Sequence, residues 1–199
     1  MKKRIILSTV FAMLAAVMLN AQLKPGDNAP DFKLKGVDNK LVSLSDYKDQ
    51  KGVILVFTCN HCPYAKLYES RIIDLQKKFG AKQFPVVAIN PNDSTIVEAD
   101  SFSNMVANAA TKGFNFPYLL DNVQLFKKYG ATKTPHVFVL KNEGGSFKVA
   151  YIGAIDDNSQ DANDVGETYV VDAVNALLEG KALARTETKA VGCTIKFKE

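Results

Sequence analysis

Cysteine and histidine are scarce in this chain and tryptophan is absent: its 199 residues hold three cysteines, two histidines and no tryptophan. Three cysteines are too few, and too unevenly placed, for a small domain stapled by disulfides. Two share one Cys-x-x-Cys and the third stands apart near the C-terminus, so no second pair completes a closed four-ligand zinc site. Charge of one sign is lacking too. Lys2, Lys3 and Arg4 are three of the 25 basic residues and residues 1–21 hold no acid, which leaves 22 basic against 21 acidic residues, net +1. That balance gives no reason to expect nucleic-acid binding. No internal repeat or low-complexity tract is present.

The long apolar stretch is confined to the start. Lys2-Lys3-Arg4 precede Ile5 to Leu19, and Leu19-Asn20-Ala21 resembles a small-residue cleavage site. At about 15 residues the stretch falls short of the ~20 that a spanning helix needs. Residues 1–21 therefore read as a cleaved signal peptide, with Gln22 the first mature residue. Export implies a periplasmic or secreted protein, with no membrane association after signal removal, in an oxidising compartment where disulfides persist. No cysteine near the cleavage site offers a lipid acceptor. Residues 22–199 suffice for one domain with its own core.

Within 22–199 strand and helix patterns alternate. Pro25, Gly26 and Pro30 mark an irregular lead-in, and Asp31 to Leu44 suggests a small hairpin. Val53–Phe57 and Val86–Ile89 are continuous apolar runs, the mark of strands buried on both faces. Ala65, Tyr68, Ile72, Leu75 and Phe79 recur at helical spacing up to Gly80. Phe102, Met105, Val106, Ala109 and Ala110 predict one face of a second helix, and Val123–Tyr129 a short third stopped by Gly130. Val137–Leu140 and Phe147–Ile152 predict a hairpin turning at Asn142–Gly145. Asp156–Asp164 reads as an exposed acidic loop. Val170, Val174, Leu177 and Leu178 mark a last helix ended by Gly180, and 181–199 has no strong periodicity. The sum is an α/β domain with a mixed sheet.

The chemistry centres on Cys59-Asn60-His61-Cys62-Pro63, which lies between the Val53–Phe57 run and the helical pattern. A helix N-terminus presents unpaired N–H groups and partial positive charge, which favour thiolate over thiol. Cys59 is expected to be the more exposed sulfur, with the lower pKa, and to act as nucleophile, with Cys62 resolving the mixed disulfide. His61, if protonated, would stabilise the Cys59 thiolate further. Pro135, preceded by Thr134, is a candidate cis-proline whose bond would leave the Thr134 backbone free to pair with an extended substrate. His136 stands open between a second tuning group, a metal ligand and a surface residue. Cys193 is either a third redox thiol or a small buried apolar residue.

These residues bear a resemblance. Phe57-Thr58-Cys59-Asn60-His61-Cys62-Pro63-Tyr64-Ala65 resembles the peroxiredoxin-like, AhpC/TSA-type redoxin branch of the thioredoxin superfamily that carries Cys-x-x-Cys. Phe116-Pro117-Tyr118-Leu119, Tyr129-Gly130-Ala131, Thr134-Pro135, Ile155-Asp156-Asp157-Asn158 and Gly192-Cys193-Thr194-Ile195-Lys196 extend the likeness over nearly all of 22–199. It implies a thioredoxin-like fold, a mixed central sheet flanked by helices, with Cys59 and Cys62 as redox pair and Pro135 as cis-proline. The chain departs from thioredoxins proper, which carry Trp before the first cysteine and Gly-Pro between the pair, where Thr58 and Asn60-His61 stand here. It departs from peroxidases as well. With Cys62 matched to their reactive cysteine, Leu55 replaces their proline, Cys59 their hydroxyl residue, and Thr134-Pro135 their peroxide-polarising arginine.

The resulting expectation is an exported thiol–disulfide oxidoreductase without a cofactor. It would exchange disulfides with cysteine-containing exported proteins docked along Thr134-Pro135-His136 and with a partner dithiol protein. A thiol-dependent peroxidase is one alternative. A copper or zinc carrier using Cys59, Cys62 and a histidine is another.

Overall fold

The computed structural model describes residues 22–199, so the expected signal peptide at 1–21 lies outside the described residues. Strand β1 (Lys33–Gly36) and β2 (Leu41–Ser43) form the first hairpin. The buried run becomes β3 (Gly52–Phe57), followed by helix α1 (Pro63–Phe79) and β4 (Val86–Asn90). Helix α2 (Phe102–Lys112), β5 (Tyr118–Leu120) and α3 (Leu125–Tyr129) come next. The chain then makes β6 (Lys133–Thr134), β7 (His136–Glu143), β8 (Ser146–Gly153), α4 (Tyr169–Leu178) and β9 (Cys193–Thr194).

Seven strands form one sheet in the order β2-β1-β5-β4-β3-β7-β8, and β6 pairs separately with β9. β3, β4 and β5 run parallel, while β7, β8, β1 and β2 add antiparallel edges. Every residue of β3 and β4 is buried. Alternation of side chains along a strand splits them between two cores. Leu55, Phe57, Val87 and Ile89 join Phe138, Leu140 and the α3 residues Leu125, Phe126 and Tyr129 on one face. Ile54, Val56, Val86 and Ala88 join Val137 and Val139 on the other, under Tyr68, Ile72, Leu75 and Phe79 of α1 and Val170 and Val174 of α4. This is the mixed sheet flanked by helices that the sequence implies.

Two expectations need correcting. Of the predicted apolar face of α2 only Met105 is fully buried; Ala109 packs half-buried against the same core, and Val106 is 39% exposed. Asp156 does not belong to an exposed loop. It is 6% exposed, accepts hydrogen bonds from Arg71 Nη1 at 2.8 and 2.7 Å and from the Tyr68 hydroxyl at 2.8 Å, and so ties the loop after β8 to α1. Within the aperiodic segment 181–199, Cys193–Thr194 form β9, held by backbone pairing that leaves no hydropathy pattern.

Candidate active site

β3 delivers Thr58 and Cys59 to the C-terminal edge of the parallel strands, and Cys62 is the residue that caps α1, with Pro63 in its first turn. Proline suits that position because its missing N–H would have no helical partner there. Cys59 is 3% exposed and carries a free thiol; Cys62 is 0% exposed and is bonded to Cys193 across a Cα–Cα distance of 6.0 Å. The disulfide therefore lies outside the Cys-x-x-Cys, and Cys193 is neither free nor an inert core residue.

Thr134, itself fully buried, lies against both sulfurs of the motif. The Cys59 thiol donates to Thr134 Oγ1 at 3.2 Å, and Cys62 Sγ lies 3.2 Å from the Thr134 carbonyl oxygen. The Thr134–Pro135 peptide bond is cis. The backbone of Thr134 is not free, however. β9 runs antiparallel to β6 with Cys193 opposite Thr134 and Thr194 opposite Lys133.

A polar network underlies the motif. Asp100, fully buried, accepts the Asn60 backbone N–H at 2.7 Å, Asn92 Nδ2 at 2.8 Å and the His61 Nδ1 proton at 2.5 Å. The Asn60 side chain donates to the Ala99 carbonyl at 2.9 Å and accepts from the Tyr118 hydroxyl at 3.0 Å and Asn108 at 3.2 Å. His61 Nδ1 lies 3.6 Å from Cys59 Sγ, but its short bond is to Asp100.

Cys59 is the more exposed of the two motif sulfurs, as expected, but at 3% against 0% both are buried, and its acidity departs from expectation. Its thiol is pushed up to about 11, first by burial and second by the negative charge of Asp100. The effect expected of the helix start is present, since the backbone N–H groups of Cys62 and His61 act to lower it. Together with the Thr134 hydrogen bond, the larger lowering cause, they are outweighed by the desolvation of a thiolate and the Asp100 charge. Cys59 at neutral pH is a thiol, not an anion.

His136 is no surface residue. It is 3% exposed, its Nδ1 accepts the Thr132 N–H at 3.3 Å, and its ring lies 5.0 Å from that of Phe138. Burial lowers its pKa to about 4, so it is neutral at pH 7. For the carrier alternative, with Cys59, Cys62 and a histidine as ligands, Cys62 is already engaged in the disulfide to Cys193. Cys59 Sγ, His61 Nδ1 and an Asp100 carboxylate oxygen do lie within 4.8 Å of one another. Two ligand atoms about 2 Å from one tetrahedral ion sit about 3.3 Å apart. The 2.5 Å between His61 and Asp100 suits a shared proton instead.

Asp100 reaches His61 and Asn60 from 39 and 40 residues away, Asn108 reaches Asn60 from 48, Asn92 joins Asp100 from 8, and Thr134 reaches the two sulfurs from 75 and 72; of these only Thr134 was legible in the sequence. Asp100 lies in a short 3-10 turn, Glu98–Asp100, whose only sequence signal is a cluster of acids.

The AhpC/TSA family matches residues 25–151. The thiol–disulfide oxidoreductase ResA of Bacillus subtilis is 30% identical over 128 residues, 64% of this chain and 67% of that protein. A crystal structure of a hypothetical protein, SMc02350, from Sinorhizobium meliloti superposes with a TM-score of 0.82 at 30% identity, covering 89% of this chain and 97% of that one. A putative thiol:disulfide interchange protein DsbE from Chlorobium tepidum superposes with a TM-score of 0.61 at 27% identity, covering 79% of this chain and 99% of that one. Among the described residues no helix is long and apolar enough to cross a membrane.

Proposed function

The chain belongs to the AhpC/TSA family, and from its site we propose that it is an exported thiol–disulfide oxidoreductase that exchanges disulfides with protein thiols. The observation that carries the reading is the covalent state of the site: a disulfide at Cys62 with a second thiol, Cys59, held by the same threonine. The names of the ResA and DsbE relatives support it.

The exchange balances as follows. A Cys62 thiolate attacks a client disulfide, forms the Cys62–client bond and releases one client thiolate. Cys59 then loses its proton and attacks Cys62 Sγ; the Cys62–client bond breaks, the second client thiolate leaves, and a Cys59–Cys62 disulfide remains. A partner dithiol reduces that disulfide, and the same steps run backwards to oxidise a client. This reverses the roles expected from the sequence, where Cys59 attacks the client and Cys62 resolves: here Cys62 meets the client and Cys59 resolves the mixed disulfide. Thr134 keeps both sulfurs in place. Asp100 sets the charge around Cys59 and holds His61 beside it, and Thr134-Pro135 forms the docking edge. The resting Cys62–Cys193 bond makes Cys193 the third redox thiol.

Stopped-flow mixing of the reduced protein with a disulfide peptide and, separately, with hydrogen peroxide tests the reading. Disulfide exchange that is lost in Cys59→Ser and Cys62→Ser, with slow oxidation by peroxide, is expected. Rapid peroxide reduction without disulfide exchange would make the protein a peroxidase instead.

A further inference from the structure

β9 occupies the edge assigned above to a client. Cys193 stands opposite Thr134 and is bonded to Cys62, while Thr194 stands opposite Lys133. The Ile195 N–H reaches the Thr132 carbonyl at 3.3 Å, extending the pairing. Beyond it the segment is anchored. The Lys196 N–H donates to Asn92 Oδ1 at 2.8 Å, the Lys196 carbonyl accepts the Asp93 N–H at 2.8 Å, Ile195 is 4% exposed, and the Phe197 ring lies 4.9 Å from that of Phe126. Before it, Gly192 lies so close to β6 that an added Cβ would overlap the Thr134 carbonyl and come within 3.0 Å of Pro135 N. Carbonyl and ring nitrogen are backbone, and neither has a side-chain rotamer by which to yield. Only glycine fits before a cysteine bound at this edge.

We propose that residues 191–194 are a tethered pseudosubstrate, and that the clients of this site are extended segments whose cysteine follows a glycine. The inference rests on the oxidoreductase reading and names its substrate class. Client strands would pair antiparallel with Lys133–Thr134, as β9 does, and take up the disulfide to Cys62 that Cys193 now holds. A two-residue ladder supplies affinity through main-chain bonds, while the glycine requirement supplies selectivity. The tether is released by the chemistry of the site. The Cys59 thiolate attacks Cys62 Sγ, the Cys62–Cys193 bond breaks, and Cys193 leaves as a thiolate that takes up a proton. The electron count is unchanged, because one disulfide replaces another. Cys59 held as a thiol makes this internal step slow, so the latched form persists until a client or a partner dithiol meets it. Anchored at Ile195 and Phe197, the freed cysteine stays beside the edge at high effective concentration and closes it again once the client leaves.

The test isolates the edge from turnover. The Cys59→Ser/Cys193→Ser protein, which keeps Cys62 alone, is equilibrated in a glutathione buffer with the peptide Val-Gly-Cys-Thr-Ile or with its Val-Ala-Cys-Thr-Ile counterpart. The glycine peptide is expected to form the mixed disulfide at Cys62 at least tenfold more than the alanine peptide. Equal populations would overturn the proposal while leaving the oxidoreductase reading intact. Should that variant fail to fold, Gly192→Ala with all three cysteines present gives the second readout. After oxidation, mass-spectrometric mapping should find Cys59–Cys62 in place of Cys62–Cys193, and an undiminished Cys62–Cys193 bond would overturn the proposal. A glycine preference at Cys62 in a protein whose wild type exchanges no disulfide would support the docking edge and reject the oxidoreductase reading instead.

Discussion

At the scale of single residues, burial and one carboxylate decide the chemistry of Cys59. Removing the charge with Asp100→Asn takes away the second cause of its raised pKa and leaves burial, the first, in place. Alkylation of Cys59 by iodoacetamide at pH 8 is therefore expected to quicken several-fold in the variant, since each unit of pKa changes the thiolate fraction about tenfold. An unchanged rate would show that Asp100 does not reach the sulfur electrostatically. His136 makes a second, separate prediction. Its pKa falls from an ordinary 6.5 to about 4 on folding, so between those values the unfolded chain binds a proton that the folded one refuses. Stability then falls as pH falls through that window, by about 3 kcal/mol in all, and is unaffected above it. Urea unfolding from pH 7 to 4 of wild type and His136→Phe measures it: the acid-side slope should flatten in the variant.

At the scale of elements, the buried strands and α1 were legible because each carries a run or a period long enough to stand out. Val53–Phe57, Val86–Ile89 and Tyr68-Ile72-Leu75-Phe79 are of this kind. β5 and β9, of three and two residues, are too short to show any period, and their pairing comes from main-chain bonds to distant strands. The ion pair between α1 and the loop after β8 was illegible for a related reason: Arg71 and Asp156 are 85 residues apart, and a lone charge in a sequence names no partner. With side chains 12% and 5% exposed, the pair is largely shielded from water and Asp156 is buried. Arg71→Ala leaves Asp156 without its cation and is expected to cost about 3–5 kcal/mol in denaturant unfolding. A loss below about 1 kcal/mol would mean that the loop is held by other contacts.

At the scale of the whole molecule, the Cys62–Cys193 bond joins α1 to the C-terminal segment across 131 residues. A cross-link of that span restricts the unfolded chain by about 5 kcal/mol in the chain-entropy description. Oxidised protein should therefore resist urea more than protein held reduced, with Cys59→Ser used so that no other disulfide forms. Equal midpoints would mean that the bond does not form in solution. The sequence by itself determined the α/β alternation, the buried strands and the residues Cys59, Cys62 and Thr134-Pro135 that the fold brings together, because hydrophobic period and short motifs are local properties. Only the tertiary structure decided which sulfurs bond, that Cys59 is a buried thiol beside Asp100, and that the C-terminal segment pairs with Lys133–Thr134. Those outcomes depend on distances and desolvation between segments far apart in the chain, which residue order does not encode locally.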